Sequence, residues 1–158
     1  MNQKGITAFV PYLSVHDGNR AIEFYSKVFN IAPQVCLRMP DGRVMHCEFV
    51  LETTKFFLSD ELPEHGGTPS PFTAKLTTMA IHLYVDDCDD IVRQFSTHGS
   101  ELLMPPTDMF WGERFARVRD PFGHVWGIAT IIQTLTPKQI QVEAEKLFRE
   151  MGSNSNDA

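Results

Sequence analysis

Cysteine is scarce in this 158-residue chain, and the three present, Cys36, Cys47 and Cys88, form no CxxC pair. The count is odd, so neither a disulfide framework nor a structural zinc site is expected, and a reduced, cytoplasmic setting fits best. Positive charge is also short. Fourteen Lys and Arg stand against 20 Asp and Glu, for a formal net charge of −6. A protein that grips a nucleic-acid backbone needs a basic face, so nucleic acid is not an expected partner. No apolar run approaches the roughly 18 residues of a membrane span, so no membrane partner is expected. The first five residues lead into only a short apolar run, and no signal peptide is expected. Motifs that would name a reaction outright are missing: there is no Gly-rich phosphate loop, no Gly-x-Ser-x-Gly elbow and no His-Glu-x-x-His.

What is present is one pattern used twice. Apolar residues at 42% and charged residues at 22% are ordinary globular values, and the length suffices for a real core. A strand-like run, an amphipathic helix and three more strand-like runs occupy residues 6–60, and the same order recurs over 78–132. Val10-Pro11-Tyr12-Leu13-Ser14-Val15 and Ala80-Ile81-His82-Leu83-Tyr84-Val85 both lead into acidic helix starts, at Asp17 and Asp86. Two βαβββ units, each too small to close its own core, are expected to pack side by side with a shared pocket. The fold class is therefore α+β: two βαβββ modules with mixed sheets, plus a C-terminal helix.

In the first unit, residues 6–15 read as a strand, and Pro11, which cannot donate to a ladder, marks it as an edge or sheet-joining position. Asp17 or Asn19 caps a helix carrying Ala21, Tyr25 and Val28 on one stripe. Strands follow at 33–39, 43–51 and 54–60, with Pro40-Asp41-Gly42 as a hairpin turn. Along Val44–Val50, alternation puts His46 and Glu48 on one face with Val44 and Val50, and Met45, Cys47 and Phe49 on the other. The His46 face lines a pocket or meets solvent.

Residues 61–77 hold Pro63, Gly66, Gly67, Pro69 and Pro71, which makes this the linker and a candidate flap. In the second unit, Ala80, His82 and Tyr84 share a face. The helix over 87–98 carries Cys88, Ile91, Val92 and Phe95, and strands follow at 100–104, 113–119 and 124–132. Asp120-Pro121-Phe122-Gly123 turns into the last of these. Thr136-Pro137-Lys138-Gln139 starts a final helix over 136–151, with a cap, a proline at the first helical position and a reciprocal Gln. Its apolar stripe is expected to pack on the body or on a second subunit, and residues 152–158 are expected to be disordered.

Val44-Met45-His46-Cys47-Glu48, Phe57-Leu58-Ser59-Asp60-Glu61, His82-Leu83-Tyr84-Val85, Phe110-Trp111-Gly112-Glu113-Arg114 and Asp120-Pro121-Phe122-Gly123-His124-Val125-Trp126 resemble the glyoxalase / bleomycin-resistance / extradiol-dioxygenase (vicinal oxygen chelate) superfamily. The branch resembled is that of the phosphonate-operon B protein, and the resemblance covers residues 7–151. It implies cup-shaped sheets and a homodimer. In the family's metalloenzymes it implies a divalent metal held by His, Gln or Glu from the first and last strand of each unit. Those positions fall on Val10, on Phe57 or Leu58, on Ala80 and on Gly127, and none of these side chains can bind a metal. A relocated site of His46, Glu48 and His82 is the alternative, holding one divalent ion such as nickel, zinc, manganese or iron.

Three functions follow from this reading. The first is a metal-free protein that binds or sequesters a small organic molecule, with no cofactor. Tyr12, Tyr84 and Trp111 would supply stacking surface, and His46, Glu48, His82 and Arg114 the polar contacts. The acidic balance suits cationic ligands. The second is a metal-dependent lyase, isomerase or dioxygenase with the rearranged site. The third is a structural or regulatory domain whose cup is filled by its own side chains.

Overall fold

The computed structural model describes residues 5–154. The first repeat consists of β1 (Tyr12–Val15), α1 (Gly18–Phe29), β2 (Val35–Arg38), β3 (Val44–Leu51) and β4 (Thr54–Asp60). The second consists of β5 (Ala80–Tyr84), α3 (Cys88–Thr97), β6 (Glu101–Asp108), β7 (Glu113–Arg119) and β8 (Val125–Ile131). Each repeat builds its own four-stranded sheet, ordered β1-β4-β3-β2 and β5-β8-β7-β6. In both, the opening strand lies parallel to the closing one and the other pairings are antiparallel. This matches the α+β architecture expected from the repeat.

Local chemistry sets the helix starts. Asp17 accepts from the Arg20 amide at 3.0 Å, and Asp87 accepts from the Asp90 amide at 3.0 Å. Each carboxylate satisfies an orphan amide of the first turn. The cap of α3 is thus one residue beyond the Asp86 that the repeat singled out. The α4 helix (Pro137–Asn154) begins with a reciprocal pair: the Thr136 amide donates to Gln139 Oε1 at 2.8 Å and the Gln139 amide to Thr136 Oγ1 at 3.3 Å. It runs on to Asn154, so residues 152–154 are helical rather than disordered. Residues 155–158 lie outside the described part of the chain. No helix among the described residues is long and apolar enough to cross a membrane.

Other boundaries moved for identifiable reasons. Residues 6–11 do not join the sheet. Pro11 has no N–H, and its carbonyl accepts the last bond at that end, from the Phe57 amide at 2.9 Å. β6 runs through Pro105 and Pro106 because it is an edge strand with shifted register. Between β2 and β3 the register slips at Leu37 and Arg38, so Leu37 opposes His46 while Arg38 opposes Val44. Met45 is the extra residue of a bulge. It stands exposed, and Val44 turns back into the core instead of sharing the His46 face.

One core serves both repeats. α1 packs on the first sheet, α3 on the second, and the two helices pack on each other. Tyr25 of α1 touches Phe24, Phe29, Phe49, Phe56, Phe122 and Trp126. Beneath these rings lies a carboxylate, Asp120, only 4% exposed. It accepts from the Tyr25 hydroxyl at 2.6 Å and Trp126 Nε1 at 2.8 Å, and from the Phe122 and His124 amides at 2.9 Å. Tyr25 comes from the first repeat and the other donors from the second, so this carboxylate ties the two together.

The linker is pinned to both repeats. It holds a 3₁₀ turn (Pro63–His65) and the short α2 (Pro71–Ala74). The Ser70 amide donates to Glu61 at 2.7 Å, the Phe72 amide to the Phe122 carbonyl at 3.2 Å, and Phe72 stacks on His16. Replacing Asp120 by Ala leaves two buried side-chain donors without an acceptor, each costing about 1–3 kcal/mol. Asp120→Ala is therefore expected to lose roughly 3–5 kcal/mol in denaturant unfolding. A loss below about 1 kcal/mol would contradict the tie between the repeats.

Candidate functional site

Each sheet has one face against the helices and one open face. On the first sheet, Leu13, Val15, Cys47, Phe49, Phe56 and Leu58 point to the core. Alternation then sends Tyr12, Ser14, His46, Glu48, Phe57 and Ser59 to the open side. There His46 bridges two partners. Its Nε2 lies 3.0 Å from Glu48 Oε1 and its Nδ1 lies 2.8 Å from the Tyr12 hydroxyl. A carboxylate only accepts, so Nε2 carries the proton, and in the neutral ring Nδ1 accepts from Tyr12. The result is a hydrogen-bonded row, Tyr12–His46–Glu48, over the Phe57 ring. Phe57 lies 4.9 Å from the His46 ring and 5.7 Å from that of Tyr12. Burial raises the Tyr12 phenol above its usual range, opposed by a Ser59 hydrogen bond and reinforced by the charges of Cys47 and Glu48. Tyr12 therefore stays a donor through neutral pH.

The second sheet brings a different group together. Along β7, Ala116 and Val118 are buried against α3, so Glu113, Phe115 and Arg117 occupy the open face beside His82 and Tyr84. Glu113 is gripped on both oxygens, by the Tyr84 hydroxyl at 2.7 Å and by Trp111 Nε1 at 2.7 Å. The hydrogen bond to that carboxylate is the main reason the Tyr84 phenol is raised. Around it stand rings: His82 is 4.7 Å from Tyr84 and stacks on Phe115 at 5.7 Å, and Trp111 meets Phe115 at 6.0 Å.

Arg114 is placed elsewhere. It shares parity with Ala116 and Val118, and its guanidinium pairs with Asp89 of α3 and, at 2.8 Å, with Asp108. These hydrogen bonds raise its pKa and lower that of Asp89. Arg114 therefore lies on the opposite side of the sheet from His82, Tyr84 and Glu113 and does not clamp a ligand together with Trp111. Glu113, Phe115 and Arg117 are open-face residues that sequence reasoning did not assign to the site, and Phe57 was considered there only as a metal position. A parity count along β7, like the one made along β3, would have found the first three.

A sequence profile described as the Glyoxalase/Bleomycin resistance protein/Dioxygenase superfamily matches residues 6–128. The chain belongs to this superfamily. An uncharacterized protein of Mycobacterium bovis is 31% identical over 136 residues, covering 85% of this chain and 90% of the relative. Among solved structures, a Pseudomonas aeruginosa protein superposes with a TM-score of 0.62 at 22% identity, over 79% of this chain and 98% of its own. A PhnB protein from Bacillus cereus gives 0.61 at 18%, over 78% and 99%. A glyoxalase-related enzyme from Fulvimarina pelagi gives 0.60 at 20%, over 79% and 88%. At these identities the structures show the shared fold.

Strand register shows which residues of the two repeats correspond at the positions the resemblance implies for a metal. Tyr12 pairs with Phe57 as His82 pairs with Gly127, so Phe57, not the core-facing Leu58, is the counterpart of Gly127. Val10 lies outside β1, and Ala80 opens β5. None of these four side chains can donate to a metal. Gly127 is moreover covered: a Cβ there would come within 2.9 Å of Phe115 Cε2 and 3.3 Å of His82 Nδ1. A liganding side chain at 127 would have to displace the Phe115 ring. The alternative trio does not converge within one chain, since His46 and Glu48 lie on the first sheet and His82 on the second. Among the described residues, no three His, Cys, Asp or Glu side chains could hold one ion. The residues present do not fit the superfamily's metal.

Gly127→Ala is expected to lower stability by roughly 1–3 kcal/mol through overpacking. Adding Phe115→Leu, which removes the ring edge, is expected to recover much of that loss. Equal melting temperatures for wild type and Gly127→Ala would show that Phe115 does not fill this space.

Proposed function

We propose that this protein binds a small aromatic or cationic organic molecule on its open sheet faces without a metal, as a homodimer in which a second copy completes the cup. The supporting observation is Glu113, a carboxylate fixed by Tyr84 and Trp111 and ringed by Phe115 and His82. Aromatic faces attract cations, and a carboxylate among them adds a counter-charge. On the first sheet Lys55 Nζ lies 5.3 Å over the Phe57 ring, an intramolecular contact of the same cation-on-ring kind.

The need for a second copy follows from exposure. Pockets for small molecules bury most of the ligand surface. Here each face is one wall, with Tyr12 51% and Tyr84 59% exposed. α4 also leaves the body with Val142 and Phe148 exposed, an apolar stripe suited to burial in a dimer.

A metal-dependent lyase, isomerase or dioxygenase is the second reading. It draws on the adjacent His46 and Glu48, and its third donor would have to come from a second copy.

The test is a thermal-shift screen of aromatic ammonium compounds against neutral molecules of the same shape, followed by calorimetry. Trp111→Ala is expected to weaken binding of a cationic hit by ~1–3 kcal/mol. Glu113→Gln is expected to weaken it about tenfold while sparing a neutral analogue, a difference of ~1.4 kcal/mol. Unchanged affinity in both variants removes the second sheet's face from the site.

A further inference from the structure

Two of the three cysteines face each other across a strand pair. Cys36 on β2 is in register with Cys47 on β3. Directly opposed residues on antiparallel strands hold their Cα atoms about 4.5–5.5 Å apart. That lies inside the roughly 4.4–6.8 Å that a disulfide spans. Opposed residues also share a face, so both thiols project toward the helix side of the sheet. Both are free thiols; Cys36 is exposed and Cys47 is fully buried. Burial, with the charge and sulfur hydrogen bond of Cys36, pushes the Cys47 thiol up to about 12. The third cysteine, Cys88, is buried in the second repeat, where its Sγ donates to the Ile128 carbonyl at 3.3 Å.

We propose that Cys36 and Cys47 form an oxidation site that closes to a cross-strand disulfide when the protein meets a small hydroperoxide. Cys36 is the sulfur that reacts first, because it alone of the pair is accessible. Its sulfur attacks the peroxide: an S–O bond forms, the O–O bond breaks, and one water or alcohol leaves. The Cys47 sulfur then attacks the Cys36 sulfenic acid: the S–S bond forms, the S–O bond breaks, and the Cys47 proton departs with the oxygen as water. Two thiols are oxidised and one peroxide is reduced. The bond lies directly behind His46 and Glu48, which flank Cys47 in sequence and occupy the opposite face of the same strand. It clips the β2 edge strand to β3.

The test uses the full chain and hydrogen peroxide, with intact-mass and thiol counting before and after. The expected result is a loss of two hydrogens per monomer, a fall from three free thiols to one, and a peptide map joining Cys36 to Cys47. Dithiothreitol should reverse it. Melting temperature should rise by roughly 5–10 °C on oxidation, as for a typical disulfide in a domain of this size. Cys88→Ser should behave like wild type, and Cys36→Ser should keep its thiols. Three outcomes overturn the proposal: no thiol loss, a disulfide between two copies through Cys36, or accumulation of Cys36 sulfinic acid with Cys47 still free.

Discussion

A buried carboxylate organises this molecule. Asp120 sits where the two repeats meet, and four donors converge on it. A charge in an apolar interior is tolerated only when its hydrogen bonds are complete. The Tyr25 hydroxyl must therefore reach it from α1, which seats that helix against Trp126 and Phe122 of the other repeat. The His124 amide is held there as well, and its ring then donates to the Ser14 carbonyl at 2.9 Å, joining the start of β8 to β1. With the helices fixed against each other, the opposite faces of both sheets are left open. Asp60 plays a local version of this part in the first repeat, accepting from the Gly18 and Val44 amides at 2.7 and 2.6 Å.

Much of this was legible in the sequence because it is written in local signals. The repeat order, the Asp17 cap, the Thr136–Gln139 box and the Gly42 turn, where φ is +88°, each depend on a few neighbouring residues. The features that decide the site are not local. Met45 forms a bulge that only strand pairing reveals, and it changes the face of Val44. Arg114 was expected among the polar contacts of a ligand, yet strand parity and the two carboxylates Asp89 and Asp108 carry it to the helix side. Glu113 stands next to it and takes the place on the open face. The facing of Cys36 and Cys47 depends on the hairpin and the bulge together. Spacing alone gave no sign that the two belong to one pair.

The two repeats differ from each other at the positions where the resemblance places metal ligands. The first repeat puts a phenyl ring there, Phe57. The second puts Gly127 there and fills the space with Phe115 from the neighbouring strand. Both positions present aromatic surface and no oxygen or nitrogen donor. The polar groups that remain, Tyr12–His46–Glu48 and Tyr84–Glu113–Trp111, bond to one another rather than converging on a point. Under the proposed function, such a surface would hold an organic ligand by stacking and by a fixed carboxylate, with no ion needed to assemble it.

That claim is tested most directly by elemental analysis of protein purified without chelator or metal-affinity tag, followed by titration with nickel, zinc, manganese and ferrous iron. The account predicts metal well below stoichiometric amounts and no change in melting temperature with any of the four. Metal near one ion per chain, lost on His46→Ala or Glu48→Ala, would contradict it and return the protein to the superfamily's metal-dependent chemistry.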